Sequence, residues 1–246
     1  MIGIISAMQE EIQSLLENLQ NTTTVTKGKR TYHQGTLFNK SVVLVFSRWG
    51  KVASATTATQ LINDYPISEI IFTGVAGSIQ TNINIGDIVI GKNLYQHDMN
   101  ASPLVAPFEI PLLQKIFFET TLTNRILLQK ASQTFLENFN THISKTLAKQ
   151  FHINAPTLFI ENIASGDQFI STNQQLNYIK NNLPNIACVE MEGAAVAQVC
   201  YEYQMPFNII RTISDKANNN SHIDFPKFAK QIASTYALEI LKNYFQ

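Results

Sequence analysis

Short apolar runs punctuate this chain, and their spacing leaves little choice of fold. IGIIS at 2–6, SVVLVFS at 41–47, EIIFTG at 69–74, GDIVIG at 86–91, PTLFIENIAS at 156–165, IACVE at 186–190 and FNIIRTIS at 207–214 are rich in Ile, Val and Phe. Runs of this length and β-branched content read as strands, several of them buried on both faces. Between them lie helical patterns at 8–19, 51–64, 111–120, 125–138, 143–150, 173–182, 191–203 and 225–243. The piece 30–45 breaks the alternation, because it holds two strands joined by a short FNKS turn. Strand–helix alternation with an inserted hairpin predicts an α/β fold: a central mixed, twisted sheet between two helical layers. The polar patches at 21–29 and 215–222 read as loops, as does the proline-bearing stretch 98–113. None resembles a linker and no internal repeat is visible, so residues 1–246 are expected to form one domain.

Composition closes off several functions. Hydrophobic residues make up 45% of the chain and charged residues 15%, which is ample for a core. Formal net charge is zero, which argues against a nucleic-acid binder that draws its affinity from clustered Lys and Arg. No apolar run approaches the roughly 20 residues that span a bilayer. The start, MIGIISAMQEE, lacks the basic segment of a signal peptide. Cys188 and Cys200 read as reduced thiols of a cytoplasmic protein. The histidines are scattered without metal-ligand spacing, so neither metal nor cofactor is expected.

In such a sheet, ligands bind beyond the carboxyl ends of the strands. There the chain delivers small residues or carboxylates: Glu10 and Glu11 after the first strand, GVAGS at 74–78, SGDQFI at 165–170, EMEG at 190–193 and Ser214–Asp215. Carboxylates also favour helix N-termini, which explains any one of these positions but explains Glu11, Glu192 and Asp215 together less well. Carboxylates without metal ligands suit general acid/base hydrolysis through an oxocarbenium-like transition state. The vicinal hydroxyls of a ribose would satisfy one carboxylate, and a flat base would stack on an aromatic such as Phe169.

GIISAMQEE, TGVAGS, IGDIV, SGDQFI, VEMEGAAVAQVC and RTISD follow one another along nearly the whole chain. In this order they closely resemble the bacterial 5′-methylthioadenosine/S-adenosylhomocysteine nucleosidases of the nucleoside phosphorylase superfamily. The resemblance implies a nucleoside phosphorylase-like fold, a homodimer and hydrolysis of 5′-substituted adenosines, 5′-deoxyadenosine included. It implies that Glu11 is the base for the attacking water and that Asp215, oriented by Ser214, protonates adenine N7. Glu192 would hold the ribose hydroxyls, with Met191 against the sugar and Glu190 supporting that end. Phe169 would stack on the base and the backbone of Ile170 would read its edge. Arg211 would lie near the water, Phe225 would line the 5′ pocket, and Met8, Ala76 and Gly77 would contact substrate.

The chain also departs from the pattern. SRWGK at 47–51 stands where common relatives read SGIGK, which puts Trp49 either against the 5′-substituent or in the core. Arg48 replaces a glycine there, and Val75 stands where many relatives carry Ser. The segment after YQHD differs too, and 114–155 is longer. Alternatives are an aminofutalosine- or futalosine-type hydrolase, a phosphate-dependent phosphorylase drawing on Arg30 and Arg48, and a silent nucleoside-binding module. The loop around Phe108 is the candidate for closing a partner's pocket, with a plain surface loop as the alternative.

Overall fold

The computed structural model describes residues 1–217 and 225–246. Each apolar run forms a strand. β1 (Ile2–Ser6) leads into α1 (Gln9–Glu17), and β2 (Gln20–Lys27), β3 (Arg30–Leu37) and β4 (Lys40–Phe46) follow. α2 (Lys51–Asp64), β5 (Glu69–Ser78) and β6 (Ile88–Gln96) come next. After an irregular passage the chain forms β7 (Phe118–Glu119), α3 (Leu122–Glu137), α4 (Phe139–His142) and α5 (Lys145–Gln150). β8 (Leu158–Ser165), α6 (Asn173–Asn182), β9 (Ile186–Glu190), α7 (Gly193–Glu202) and β10 (Phe207–Asp215) resume the alternation. α8 (Phe225–Phe228) passes through a π-turn (Ala229–Ala233) into α9 (Ser234–Tyr244).

The strands join in one mixed sheet of order β10-β6-β8-β9-β5-β1-β4-β3-β2, with β7 on β6. β10 also pairs with β5, so β5, β10, β6, β8 and β9 close into a ring and β1, β4, β3 and β2 extend from it as a wing. Period-two alternation sends side chains to opposite faces of the wing. Ile5, Val43, Val45, Ile70 and Phe72 pack with Ala58 and Leu61 of α2 and Ala194 and Ala197 of α7. Ile4, Val42, Leu44 and Ile71 pack with Ile12 and Leu15 of α1 and Ala237 and Leu241 of α9. Helices thus cover both faces, giving three layers.

Strand β5 sets up the site. β10 occupies one of its edges from Ile70 to Gly77. On the other edge β1 runs from Ile2 opposite Glu69 to Ile5 opposite Phe72 and then ends. β9 reaches that edge only at Gly77 and Ser78, arriving antiparallel. Between Phe72 and Gly77 no strand among the described residues covers it, and this opening lies where the carboxyl ends of β1, β5 and β9 meet.

Two expectations fail. Residues 21–29 are not a loop, because Gln20–Lys27 forms edge strand β2, antiparallel to β3 and exposed throughout. Its Thr and Val residues favour extended backbone whatever their polarity. Residues 111–120 are not a helix: Leu112 and Gln114 adopt φ of 68° and 54°, Ile110 bridges Lys115, and Phe118–Glu119 adds to β6. The apolar spacing there imitates a helix, but the left-handed residues break it. The predicted helix 143–150 is shorter, running Lys145–Gln150.

Candidate active site

A cleft of about 380 Å³ opens at this meeting of strand ends. It is lined by Met8, Glu11, Trp49, Ala76, Gly77, Phe169 and Ile170, and by Glu190, Met191, Glu192, Arg211 and Asp215. Ser214 lies behind Asp215, buried. Phe225 begins α8, and its side chain lies outside the described residues. Val75, noted in the sequence as a departure from the family pattern, lines the cleft as well, and so do Ala7, Gln168 and Val189, of which only the neighbours stood out.

Glu11 is the third residue of α1, and its carboxylate reaches back to the Met8 N–H at 3.0 Å, a capping geometry. Capping is only part of its role. The same oxygen, Oε2, accepts from Ala7 N at 3.1 Å and from the Ser6 hydroxyl. Oε1 accepts from Val75 N at 3.0 Å. That N–H is available because it sits on the uncovered edge of β5. Burial raises the pKa of Glu11, opposed by the Ser6 hydrogen bond and the charge of Arg211.

Glu190 and Glu192 have different employments. Glu190 accepts from Arg211 Nη2 at 2.7 Å, from Gly193 N at 2.8 Å, from Glu192 N at 3.1 Å and from the Ser165 hydroxyl. It therefore caps α7 and neutralises a buried arginine, whose guanidinium also lies 4.2 Å from the centre of the Phe72 ring. Gly193 leaves room for this carboxylate, since a Cβ there would stand 3.1 Å from Glu190 Oε1 and would also crowd Ile209 Cδ1. With the helix end satisfied by its neighbour, Glu192 is free. Its Oε1 accepts from Gly50 N at 2.9 Å, and no hydrogen bond among the described residues reaches its other oxygen. Burial, then the charge of Glu190, pushes its pKa up to about 8. A carboxylate held this way can take up a diol.

At the end of β10, Asp215 accepts from Ala217 N at 2.7 Å through Oδ1 and from the Ser214 hydroxyl at 2.8 Å through Oδ2. Gly77 makes room, because a Cβ there would lie 2.8 Å from Asp215 Oδ1.

Trp49 is 64% exposed on the rim, so the core-filler alternative is excluded. Arg48 beside it adopts φ of 73°, the left-handed region in which glycine is the ordinary occupant. Facing this rim is the loop of Phe169, and polar bonds tie the two together. Lys51 N donates to Asp167 Oδ1 at 2.7 Å, Asp167 N to Asp98 Oδ2 at 2.8 Å, and Lys51 Nζ to Asp98 Oδ1 at 2.7 Å. Phe108 is 9% exposed and packs near Tyr178 of its own chain, and the large apolar side chains of that loop that project furthest are Leu104 and Leu112. Among the described residues no cluster of side chains suits a metal ion, and no helix is long and apolar enough to cross a membrane.

Comparison with known proteins bears on this geometry. The profile of a family described as the phosphorylase superfamily matches residues 1–246. A 5′-methylthioadenosine/S-adenosylhomocysteine nucleosidase of Staphylococcus aureus is 32% identical over 244 residues, 98% of each chain. The Streptococcus pneumoniae nucleosidase of that name, solved with a transition-state inhibitor, superposes with a TM-score of 0.83 at 32% identity, covering 99% of this chain and 97% of its own. A futalosine hydrolase of Helicobacter pylori superposes with a TM-score of 0.83 at 31% identity, covering 99% of this chain and 96% of its own.

Proposed function

The chain belongs to the phosphorylase superfamily, and on that premise we propose that it hydrolyses the N-glycosidic bond of 5′-substituted adenosines. The substrates are 5′-methylthioadenosine, S-adenosylhomocysteine and 5′-deoxyadenosine, and the products are adenine and the 5-substituted ribose. One observation carries the choice of water over phosphate as nucleophile: Glu11 faces the cleft and Arg211, the arginine that lines it, is held by Glu190. Phosphate needs uncommitted cations and N–H donors. Arg30 instead donates to the carbonyls of Ser47 and Ala53, Arg48 to that of Lys29, and Lys51 Nζ to Asp98.

In the reaction we infer, Glu192 accepts from the ribose hydroxyls and Met191 packs on the sugar. Phe169 stacks on adenine, with the Ile170 backbone at its edge. Glu11 removes a proton from water as the oxygen bonds to C1′ and the C1′–N9 bond breaks. The bonding electrons leave with adenine, and Asp215 delivers a proton to N7. Adenine release from 5′-methylthioadenosine in phosphate-free buffer tests this reading. Turnover that requires phosphate and yields a sugar 1-phosphate would overturn it.

The Helicobacter futalosine hydrolase matches this chain as well as the nucleosidases do, which keeps aminofutalosine as a second substrate candidate. Trp49, on the rim beside the Gly50 that holds Glu192, is positioned to meet the 5′-substituent. A panel of the four nucleosides on wild type and Trp49→Ala ranks them, and unchanged ratios remove Trp49 from selection. We further infer a homodimer, supported by the exposure of Trp49, Val52 (79%), Leu104 (89%) and Leu112 (98%). A monomer in sedimentation velocity would count against it. The single sheet from β1 to β10 supports reading the chain as one domain, and the free buried Cys188 and Cys200 accord with the cytoplasm.

A further inference from the structure

The two oxygens of Glu11 are treated very differently. Oε2 accepts from three donors: Ala7 N at 3.1 Å, Met8 N at 3.0 Å and the hydroxyl of Ser6. Three donors exhaust the lone pairs of one carboxylate oxygen. Among the described residues Oε1 accepts from Val75 N alone. Next to Oε1 the bare Cα of Gly74 leaves space, since a Cβ there would stand 3.0 Å from Oε1 and 3.2 Å from Arg211 Nη1.

Ser6 is the last residue of β1 and is wholly buried. Its carbonyl accepts from Ser47 N at 2.7 Å, which fixes its backbone. A buried hydroxyl costs free energy unless it is bonded, and the partner here is the carboxylate. Packing alone asks only for a small residue at this position.

We propose that Ser6 is a positioning residue for the hydrolysis: its hydroxyl pins Oε2 of Glu11 and leaves Oε1 as the oxygen that takes the proton from water. The proposal rests on the nucleosidase reading. A hydrogen bond to the ionised carboxylate also favours that form, so Ser6 holds Glu11 ready as a base to lower pH than burial alone would permit. Burial remains the larger influence, and the hydroxyl is the largest one opposing it. Of the charged groups around Glu11, Arg211 on β10 favours the ionised form and Glu192, after β9, opposes it. Glu190 is engaged with Arg211 and Asp215 with its own loop. On α1, Glu10 is exposed. Lys40 and Glu69 stand at the starts of β4 and β5, away from the site. Lys230 in the π-turn is exposed, and Glu239 of α9 is paired with His142 and Lys242.

The test is the pH dependence of kcat/KM for adenine release by wild type and Ser6→Ala. The low-pH limb should move upward by about one pH unit, with a loss of about tenfold on the acid side and a much smaller loss on the alkaline side. In a Glu11→Gln background Ser6→Ala should cost nothing further. Ser6→Cys, close in size and a weak donor, should shift the limb the same way if the alanine variant fails to fold. A uniform loss across pH, or an additive loss in the double variant, would make Ser6 merely structural and overturn the proposal. The Glu11 carboxyl can also be titrated by carbon-13 NMR without turnover, and equal titrations in wild type and variant would overturn it as well. Should the wild type release no adenine from any nucleoside, the functional reading falls on its own, and the carboxyl titration still decides how Ser6 acts on Glu11.

Discussion

Glu190 and Glu192 are two residues apart, of one chemical type and both buried, yet their loss should have opposite signatures. Glu190→Gln leaves Arg211 as a buried cation without its partner. That should destabilise the fold by about 3–5 kcal/mol, read in denaturant titrations. Glu192→Gln removes a carboxylate with a single backbone donor, so at alkaline pH the unliganded protein should gain stability while KM for the nucleoside rises. A common outcome for both variants would sink the division of labour. Asp215→Asn keeps the shape and the bond from Ala217 N, with its NH2 donating to the Ser214 hydroxyl oxygen instead of accepting from it, but cannot give up a proton. Adenine release should fall by on the order of 10²-fold or more, whereas a nitrophenyl riboside, whose leaving group needs no proton, should lose little. Equal losses would take Asp215 out of the acid's role. Spacing alone could not have told Glu190 from Glu192, since what separates them is Arg211, brought alongside from a different strand. The family resemblance already implied the distinction, and the hydrogen bonds supply its physical reason.

At the level of elements, the two rims of the cleft are separate loops, one after β4 and one after β8, joined directly by Lys51 N on Asp167 and a second time through Asp98, just past β6. Asp98→Ala should free the Asp167 N–H and leave the Lys51 ammonium with Gln96 Oε1, at 3.2 Å, as its remaining acceptor. Of the polar bonds tying the loop of Phe169 to that of Gly50, only Lys51 N on Asp167 would then remain. The expected result is a rise in KM of several-fold with kcat less affected, and an unchanged KM would show that the rims hold themselves. The core strands were legible in the sequence because buried strands must be continuous in Ile, Val and Phe. β2 was not, because an exposed edge strand buries nothing and its threonines look like a loop. The false helix at 111–120 has the complementary cause: its apolar spacing was right, but backbone sign at Leu112 and Gln114 leaves no mark in a hydrophobic pattern. The closing of β5, β10, β6, β8 and β9 into a ring was also illegible, since β10 meets β5 and β6 across more than a hundred residues of chain.

For the molecule as a whole, these buried acids make stability depend on pH. Glu192 is raised from 4.5 to about 8, and Glu11 is raised too. Folding therefore favours their protonated forms. The contribution of Glu192 is fully present below pH 4.5, declines as pH rises, and is lost once pH passes about 8, and that of Glu11 declines in the same direction. The thermal midpoint of the unliganded protein should fall across that interval by an amount reflecting a few kcal/mol, and Glu192→Gln should flatten much of the slope. An unchanged slope in that variant would mean that Glu192 is not the group responsible.

The uncovered edge of β5 has one more consequence, concerning solvent exchange. A central strand ordinarily gives up its amide protons only when the whole fold opens. Val75 is an exception, because its amide is secured by the side chain of Glu11 rather than by a neighbouring strand. Deuterium should enter there through a local swing of one carboxylate, with β5 otherwise intact. A bound nucleoside that immobilises Glu11 should slow that one amide far more than those of Ile70 to Phe72, so the exchange rate of a single backbone proton would report on the freedom of the catalytic base.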